Sequence, residues 1–126
     1  MIKFLRFKDG DLLNVNSVKT IRRDMYLVNR GRWEDGKRGI HAEIEIQATN
    51  GGVYKLIDVS AYAARKEGEP WDYDTKGGRL AVERIEDILD TMITILVDKM
   101  NDEDEKIISI GTSFLEEAMQ EEVERG

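Results

Sequence analysis

A strict two-residue alternation over residues 40–49 constrains the fold of this chain more than any other feature. Apolar side chains occupy every second position, and polar side chains lie between them; the apolar set is Ile40, Ala42, Ile44, Ile46 and Ala48. This period is typical of a β-strand with one face in a core and the other in water. Asn50-Gly51-Gly52 then predicts a tight turn into a second strand over residues 53–59. The pattern therefore predicts an antiparallel sheet with one buried face.

Further short strands are predicted before this hairpin. They lie at residues 2–7, 12–15, 18–21 and 25–28. Lys8-Asp9-Gly10-Asp11 predicts a turn between the first two, and Arg23-Asp24 is expected to break the chain between the last two. Every connection is too short for a crossover helix, so we expect antiparallel pairing in a sheet of five to six strands.

Helical signals dominate after the strands. Ser60 is predicted to cap a short helix over residues 61–67, and Asp74 or Thr75 to cap a long helix over residues 78–100. Apolar residues cover about half the circumference of the long helix, which is wider than one sheet contact requires. Residues 106–110 fit either a strand or a helix. The spacing of three and four that continues to Val123 favours a second helix over residues 102–124.

This order of strands followed by helices predicts an α+β fold. We expect an antiparallel β-sheet in the N-terminal part, packed against a C-terminal αα-hairpin. No repeat or linker divides the chain, so residues 1–126 are predicted to form a single domain. It would comprise a β-sheet part (1–59), a short helix and loop (60–79) and a helical part (80–124).

The composition excludes several classes of protein. The chain of 126 residues has no cysteine, which excludes disulfides, thiolate metal sites and cysteine nucleophiles. The longest apolar run, Ile95-Leu96-Val97, is far too short to cross a bilayer. The first residues lack the apolar segment of a signal peptide. We therefore expect a cytoplasmic protein that does not bind membranes.

Charge is distributed unevenly along the chain. The net charge is −7, but residues 1–79 carry 15 Lys and Arg against 12 Asp and Glu, whereas residues 80–126 carry 4 against 14. An acidic helical half repels nucleic-acid phosphates and attracts basic surfaces. The asymmetry therefore disfavours duplex nucleic acid as a partner and favours a protein with a basic surface.

Two segments have the composition of an anion-binding loop. Residues 29–39 and 71–79 each combine cations, glycines and aromatic rings, and the second precedes a predicted helix N-terminus, where free N–H groups attract anions. The candidate ligand-binding residues are Arg30, Arg32, Trp33, Lys37, Arg38, Trp71, Tyr73, Lys76 and Arg79. Neither segment has the spacing of a P-loop or a dinucleotide fingerprint. The alternative interpretation is a solvated hairpin tip beside a Trp71 that packs under the sheet.

Catalytic signals are weak. His41, the only histidine, is followed two residues later by Glu43, but a zinc site usually takes three or four protein ligands. Glu43, Glu45 and Asp58 could share one sheet face and hold Mg²⁺, although glutamates on strands are more often simply solvated. Ser60 and Ser113 have the positions of helix caps. The sequence therefore predicts no catalytic residue, no metal and no cofactor.

These observations favour a non-enzymatic binding module. The broad apolar arc of the long helix and the acidic helical half predict an acidic protein-interaction or inhibitor protein that self-associates, which is compatible with a phage-type inhibitor. The alternative is a phosphate- or nucleotide-binding (sequestering) protein that holds a small anionic ligand between the two loops. A metal-dependent enzyme is the least supported class.

Overall fold

The part of the chain that the structure describes contains six strands, two α-helices and a short 3-10 helix (Val15–Ser17), and its α+β class is as predicted. The structure is a computed structural model that describes residues 2–30, 36–64, 71–104 and 106–125, with the side chain of Arg30 left out. The strands are β1 (Phe4–Arg6), β2 (Leu12–Asn14), β3 (Val18–Arg30), β4 (Lys37–Ala48), β5 (Val53–Ala64) and β6 (Ile107–Ile108). The helices are α1 (Lys76–Asn101) and α2 (Ser113–Arg125).

The main sheet is an antiparallel meander of β3, β4 and β5. The predicted alternation in β4 is confirmed, because its apolar side chains are buried and the polar ones between them are half-buried. The predicted turn after β4 is confirmed too, and Gly51 there has a φ of 87°, a value that favours glycine. β4 is the central strand, so its outward side chains have neighbours on both sides.

A second, smaller sheet has the strand order β2-β1-β6. β1 and β2 pair antiparallel through the predicted turn at residues 8–11, and β1 pairs with β6 in parallel. The prediction of one sheet with five to six strands is therefore wrong, since the strands divide into two sheets of three. The physical reason is that β1 takes its second partner from the far end of the chain.

β3 is longer than the sequence suggested. The expected break at Arg23-Asp24 is absent, and the strand runs without interruption from Val18 to Arg30. Arg23 forms ion pairs with Glu86, at 3.5 Å, and with Asp90 of α1. Asp24 lies on the opposite, outer face of the sheet, where it is directly across from Glu43 of β4 in the strand register. Arg23 is therefore paired with α1, and Asp24 is exposed to solvent, so neither charge interrupts the strand.

β5 is also longer than expected, and the predicted short helix over residues 61–67 is wrong in its first part. The strand continues through Ala64, because Ser60 to Ala64 pair with the first half of β4. Ser60 is thus a strand residue and not a helix cap. Residues 65–67 of the predicted helix lie outside the described residues.

The long helix α1 agrees closely with the sequence. Its N-cap is Thr75, whose Oγ1 accepts a hydrogen bond from the Gly78 amide at 3.1 Å. At its other end, Lys3 Nζ donates to the carbonyl oxygens of Met100, at 3.0 Å, and of Asp102. A cation at a helix C-terminus is favourable because the last carbonyls carry partial negative charge.

The second helix is shorter than predicted. α2 begins at Ser113 and not at Asp102, and Ile107–Ile108 form β6 instead of a helical turn. The apolar residues of β6 lie, by their place in the sequence, at helical spacing from the first apolar residues of α2. A strand followed by a helix therefore has the same apolar pattern as one continuous helix. The helices are therefore joined through a strand, and the predicted αα-hairpin is not confirmed.

Both helices pack on one face of the main sheet. α1 contacts β3, α2 contacts β5, and the helices contact each other. The largest fully buried side chains come from both sheets and both helices; they are Leu5, Ile40, Ile44, Ile46, Ile57, Ile85, Leu89, Leu96, Ile108, Leu115, Met119 and Val123. The opposite face of the main sheet carries polar side chains.

Candidate functional site

The two predicted ligand-binding segments meet where β3 ends and α1 begins. Asn29 Nδ2 donates to the carbonyl oxygen of Trp71 at 2.7 Å, and Trp71 Nε1 donates to the carbonyl oxygen of Gly39 at 2.9 Å. The Leu27 amide donates to the Tyr73 hydroxyl oxygen at 3.2 Å. Residues distant in sequence are thus brought together, as an anion site built from both segments would require.

Two of the predicted ligand-binding residues nevertheless lie inside the protein. Arg38 and Trp71 are only 3% and 4% exposed. Arg38 Nε donates to the carbonyl oxygen of Val123 at 2.6 Å, and its Cζ lies 5.3 Å from the Trp71 ring centroid, within cation–π range. Both side chains therefore link β4, α2 and the segment before α1.

The other described candidates are on the surface. Lys37, Lys76 and Arg79 are exposed, and Tyr73 is half exposed. Arg79 Nη1 donates to the carbonyl oxygen of Asp74 at 3.2 Å, so part of its guanidinium is used locally. Arg32, Trp33 and the Arg30 side chain lie outside the described residues.

The start of α1 is covered by its own capping turn. Thr75 Oγ1 accepts a hydrogen bond from the Gly78 amide. The turn also packs closely on Gly78, since a Cβ there would lie 1.8 Å from the carbonyl oxygen of Asp72. The Asp72 carboxylate also accepts hydrogen bonds from the amides of Asp74 and Thr75, at 2.8 and 3.1 Å. The Thr75 cap therefore satisfies one of the first helical amides, that of Gly78, and Asp72 satisfies two amides in the turn before the helix.

A different surface, an apolar groove, lies between α1 and the start of α2. Its volume is about 670 Å³. Partly buried Ile88, Met92 and Ile110 line it, together with exposed Ile95 and Phe114. Phe114 is 70% exposed, the largest exposure among the exposed large hydrophobic residues of the described chain. We call this surface the helix groove.

The helix groove exists because the two helices differ in length. α1 has 26 residues and α2 has 13. Arg84, near the start of α1, pairs with Glu121 and Glu122, near the end of α2, so the shorter helix covers only the first part of α1. Beyond Arg84, the α1 side of the groove is opposite the extended segment at residues 109–111 and the first residues of α2, Phe114 and Leu115. Gly111 in that segment has open space where a side chain would be.

Charges at one end of the helix groove are tightly paired. Arg84 Nη1 donates to Glu122 Oε1 at 2.8 Å, and Nη2 donates to Glu121 Oε2 at 3.0 Å. These hydrogen bonds, that of Glu122 first, raise the pKa of Arg84. Two carboxylates therefore offset this cation, and the other charged residues that line the groove are Asp87 and Lys99.

A polar cluster on the outer face of the main sheet is a third feature. His41 Nε2 lies 2.7 Å from Glu43 Oε1 and 3.0 Å from Asp58 Oδ1, and Nδ1 lies 2.6 Å from Ser60 Oγ. The sheet register explains the gathering, since His41 is opposite Ser60 and Glu43 is opposite Asp58. Glu45, which the sequence grouped with them, pairs instead with Arg22 at 2.7 Å.

Lys55 completes this cluster. Its Nζ donates to Glu43 Oε1 at 2.7 Å, and this hydrogen bond raises the pKa of Lys55. Burial by itself would raise the pKa of Glu43, but hydrogen bonds from Lys55 and then His41 outweigh burial, and the pKa is lowered. Glu43 is therefore held as a carboxylate between two nitrogen donors.

The sequence did not indicate the helix groove. Phe114 and Gly111 belonged to an apolar set that the periodicity placed on one side of a continuous helix. Ser113 already had the position of a helix cap in the sequence, and α2 begins there, with Thr112 Oγ1 donating to Glu116 Oε2 at 3.1 Å. Recognising that start would have moved Gly111 out of the helix.

Comparison with known proteins adds no relative. No family model, no curated protein and no solved structure matches the chain. Within the described part of the chain, neither helix has the length and continuous apolar character that a bilayer span requires.

Proposed function

We propose that this protein is a non-enzymatic interaction module that binds a basic amphipathic helix of a partner protein in the helix groove. The observation that carries the proposal is the exposure of Phe114 beside an open apolar groove of about 670 Å³. Contiguous apolar surface with polar surroundings is typical of interaction sites. An aromatic side chain at such a site is a common energetic anchor.

The dimensions of the groove suit a helix. The lining residues of α1 extend from Arg84 to Lys99, and the stretch from Ile88 to Lys99 is about 16 Å long. That length corresponds to three turns of a bound helix, whose apolar residues at spacings of three and four would face Met92, Ile95 and Phe114.

The surrounding charge favours a basic occupant. Residues 80–126 have 4 Lys and Arg against 14 Asp and Glu, a net charge of −10. Lysine and arginine on the flanks of a bound helix would face this excess of carboxylates, which accelerates association and adds specificity. Self-association remains a prediction, but a symmetric contact through this groove would place two acidic halves together.

Peptide binding tests the proposal. The probe is a labelled 14-residue peptide with leucine at helical spacing and lysine elsewhere, measured by fluorescence anisotropy at two salt concentrations. A glutamate version of the same peptide and a scrambled lysine version are the peptide controls. We expect that the amphipathic lysine peptide binds and that neither control peptide does, because the groove requires both an apolar face and positive flanks.

Two charge-neutral variants separate groove binding from general attraction to an acidic protein. Phe114→Ser removes the exposed anchor and should weaken binding at least tenfold. Leu80→Ser removes an exposed apolar residue of α1 that does not line the groove and should leave binding unchanged. Equal binding by both variants and the parent would contradict the proposed site.

The second candidate function is binding of a phosphate or nucleotide. The convergence of residues 29–39 with 71–79, and the exposure of Lys37, Lys76 and Arg79, favour it. Thermal shift against a panel of nucleotides tests this function. Arg32→Met and Arg79→Met should each abolish the stabilisation, and shifts equal to those of the parent would exclude the assignment.

A further inference from the structure

We propose that the outer face of the main sheet binds a divalent transition-metal ion through His41 Nε2 and the carboxylates of Glu43 and Asp58. This inference is independent of the helix groove, which lies among the helices. It also departs from the sequence prediction, in which one histidine and scattered carboxylates did not make a metal site.

The ligand atoms are already close together. One ligand atom from each of His41, Glu43 and Asp58 lies within 4.8 Å of the other two. Zinc binds imidazole nitrogen and carboxylate oxygen at about 2.0–2.2 Å, which places tetrahedral ligands about 3.3 Å apart. His41 Nε2 is 2.7 and 3.0 Å from the two carboxylate oxygens, so each of these pairs would have to separate by only a few tenths of an ångström. The two carboxylate oxygens, which lie within 4.8 Å of each other, would have to take the same spacing.

The surroundings orient the histidine for this role. Without a metal, His41 Nε2 donates to Glu43, and a bound metal ion would replace that proton. Ser60 Oγ, 2.6 Å from Nδ1, can then accept the Nδ1 proton, so that the Nε2 lone pair is directed at the metal. Metal-binding histidines commonly have such a partner on the second nitrogen. The Tyr26 ring, with its centroid 4.8 Å from that of His41, further restricts the imidazole.

Exposure differs among the three ligands in a way that suits an open metal site. The side chains of His41 and Glu43 are 14% and 12% exposed, whereas that of Asp58 is 47% exposed. A metal here would have two fixed ligands, one adjustable ligand and a side open to water. Three protein ligands with a water in the fourth position are typical of accessible zinc sites.

The ammonium group of Lys55 would compete with a metal ion for the carboxylates of Glu43 and Asp58. Its ammonium donates to Glu43 at 2.7 Å and lies 3.9 Å from Asp58, so it supplies the positive charge that a metal ion would supply. The Lys55 side chain is 48% exposed on a flexible stem, and it can move into solvent when a metal binds. Removing this charge should therefore tighten metal binding, which a purely structural ion-pair cluster would not predict.

The ligand set selects the class of metal. Mg²⁺ and Ca²⁺ take oxygen ligands, whereas an imidazole combined with carboxylates suits Zn²⁺, Mn²⁺ or Co²⁺. The imidazole nitrogen of His41 thus distinguishes this cluster from the acidic surface of the helical half. We expect Zn²⁺ to bind here and Mg²⁺ to have little effect.

The test is isothermal titration of the full, tag-free chain with ZnCl₂ and separately with MgCl₂. The parent should bind one Zn²⁺, and Asp58→Asn and His41→Gln should each weaken binding at least tenfold. Lys55→Met should strengthen it about tenfold. Glu45→Gln, on the same face but paired with Arg22, is the matched control and should bind like the parent.

Asp58→Asn keeps the test valid if His41→Gln does not fold, because Asp58 is half exposed. No Zn²⁺ binding by the parent, binding by Asp58→Asn equal to that of the parent, or no gain with Lys55→Met would overturn the proposal. Equal affinity for Mg²⁺ would overturn the assignment of a transition metal.

Discussion

Arg38 of β4 donates from Nε to the carbonyl oxygen of Val123, in the last turn of α2, at 2.6 Å. The final carbonyls of a helix have no partner within the helix, and they carry its partial negative charge. A buried guanidinium at this position therefore satisfies one of the C-terminal carbonyls of α2 and connects the helix to the central strand. The same cation lies 5.3 Å from the ring centroid of Trp71.

Arg38→Met should lower the free energy of unfolding by about 1.5–3 kcal/mol, because a charged hydrogen bond in a buried position is lost. Urea denaturation measures this change. Lys37→Met is the control: Lys37 is the exposed neighbour on the same strand, and its loss should alter stability by less than about 0.5 kcal/mol. Similar effects of both substitutions would show that Arg38 does not hold α2.

Two adjacent glycines in α1 should respond oppositely to alanine. Gly78→Ala would place Cβ 1.8 Å from the carbonyl oxygen of Asp72 and should destabilise the protein by about 1–3 kcal/mol. Gly77→Ala would meet nothing closer than a Trp71 carbon at 3.9 Å and should stabilise the helix by about 0.5–1 kcal/mol. Thermal unfolding of the two variants measures both changes in stability. Stabilisation by Gly78→Ala would show that the capping turn is placed differently.

The pairing of Arg84 with Glu122 should appear in a double-mutant cycle. Glu122 is only 3% exposed, and Arg84 is its closer partner, at 2.8 Å, with Arg125 at 3.3 Å. Arg84→Met should cost about 1–2 kcal/mol, allowing for the solvent that screens the arginine. Adding Glu122→Gln should recover part of this loss, because it removes a buried charge that Arg125 alone would still offset. Strictly additive losses in the double variant would mean that the two charges do not interact.

Local signals predicted much of the fold. The alternation in β4, the Asn50-Gly51-Gly52 turn and the helix cap each act over a few residues. The first two are found where they were expected, and Thr75 is the cap of the two residues that the sequence offered, Asp74 and Thr75. Pairing over long distances could not be predicted in this way. β6 consists of Ile107 and Ile108 alone, and its parallel partner β1 lies about a hundred residues earlier, so no local pattern could separate it from a helical turn.

The candidate sites show the same difference between local patterns, which can be predicted from the sequence, and long-range pairing, which cannot. His41 and Glu43 share a strand face by simple alternation, which the sequence shows. Their proximity to Asp58 depends on the register of β5, which changes at an irregularity between Ile44 and Glu45. The helix groove depends on the shortness of α2, and a helix of the predicted length would have covered Ile88 and the apolar residues beyond it.

The most direct test of the central proposal is an amide NMR titration of the full chain with the amphipathic lysine peptide. We predict chemical-shift changes concentrated at residues 88–95 and 110–115, with the outer sheet face around His41 unaffected, and their loss in Phe114→Ser. Changes spread over the acidic surface, or centred on residues 36–39 and 71–79, would contradict binding in the helix groove.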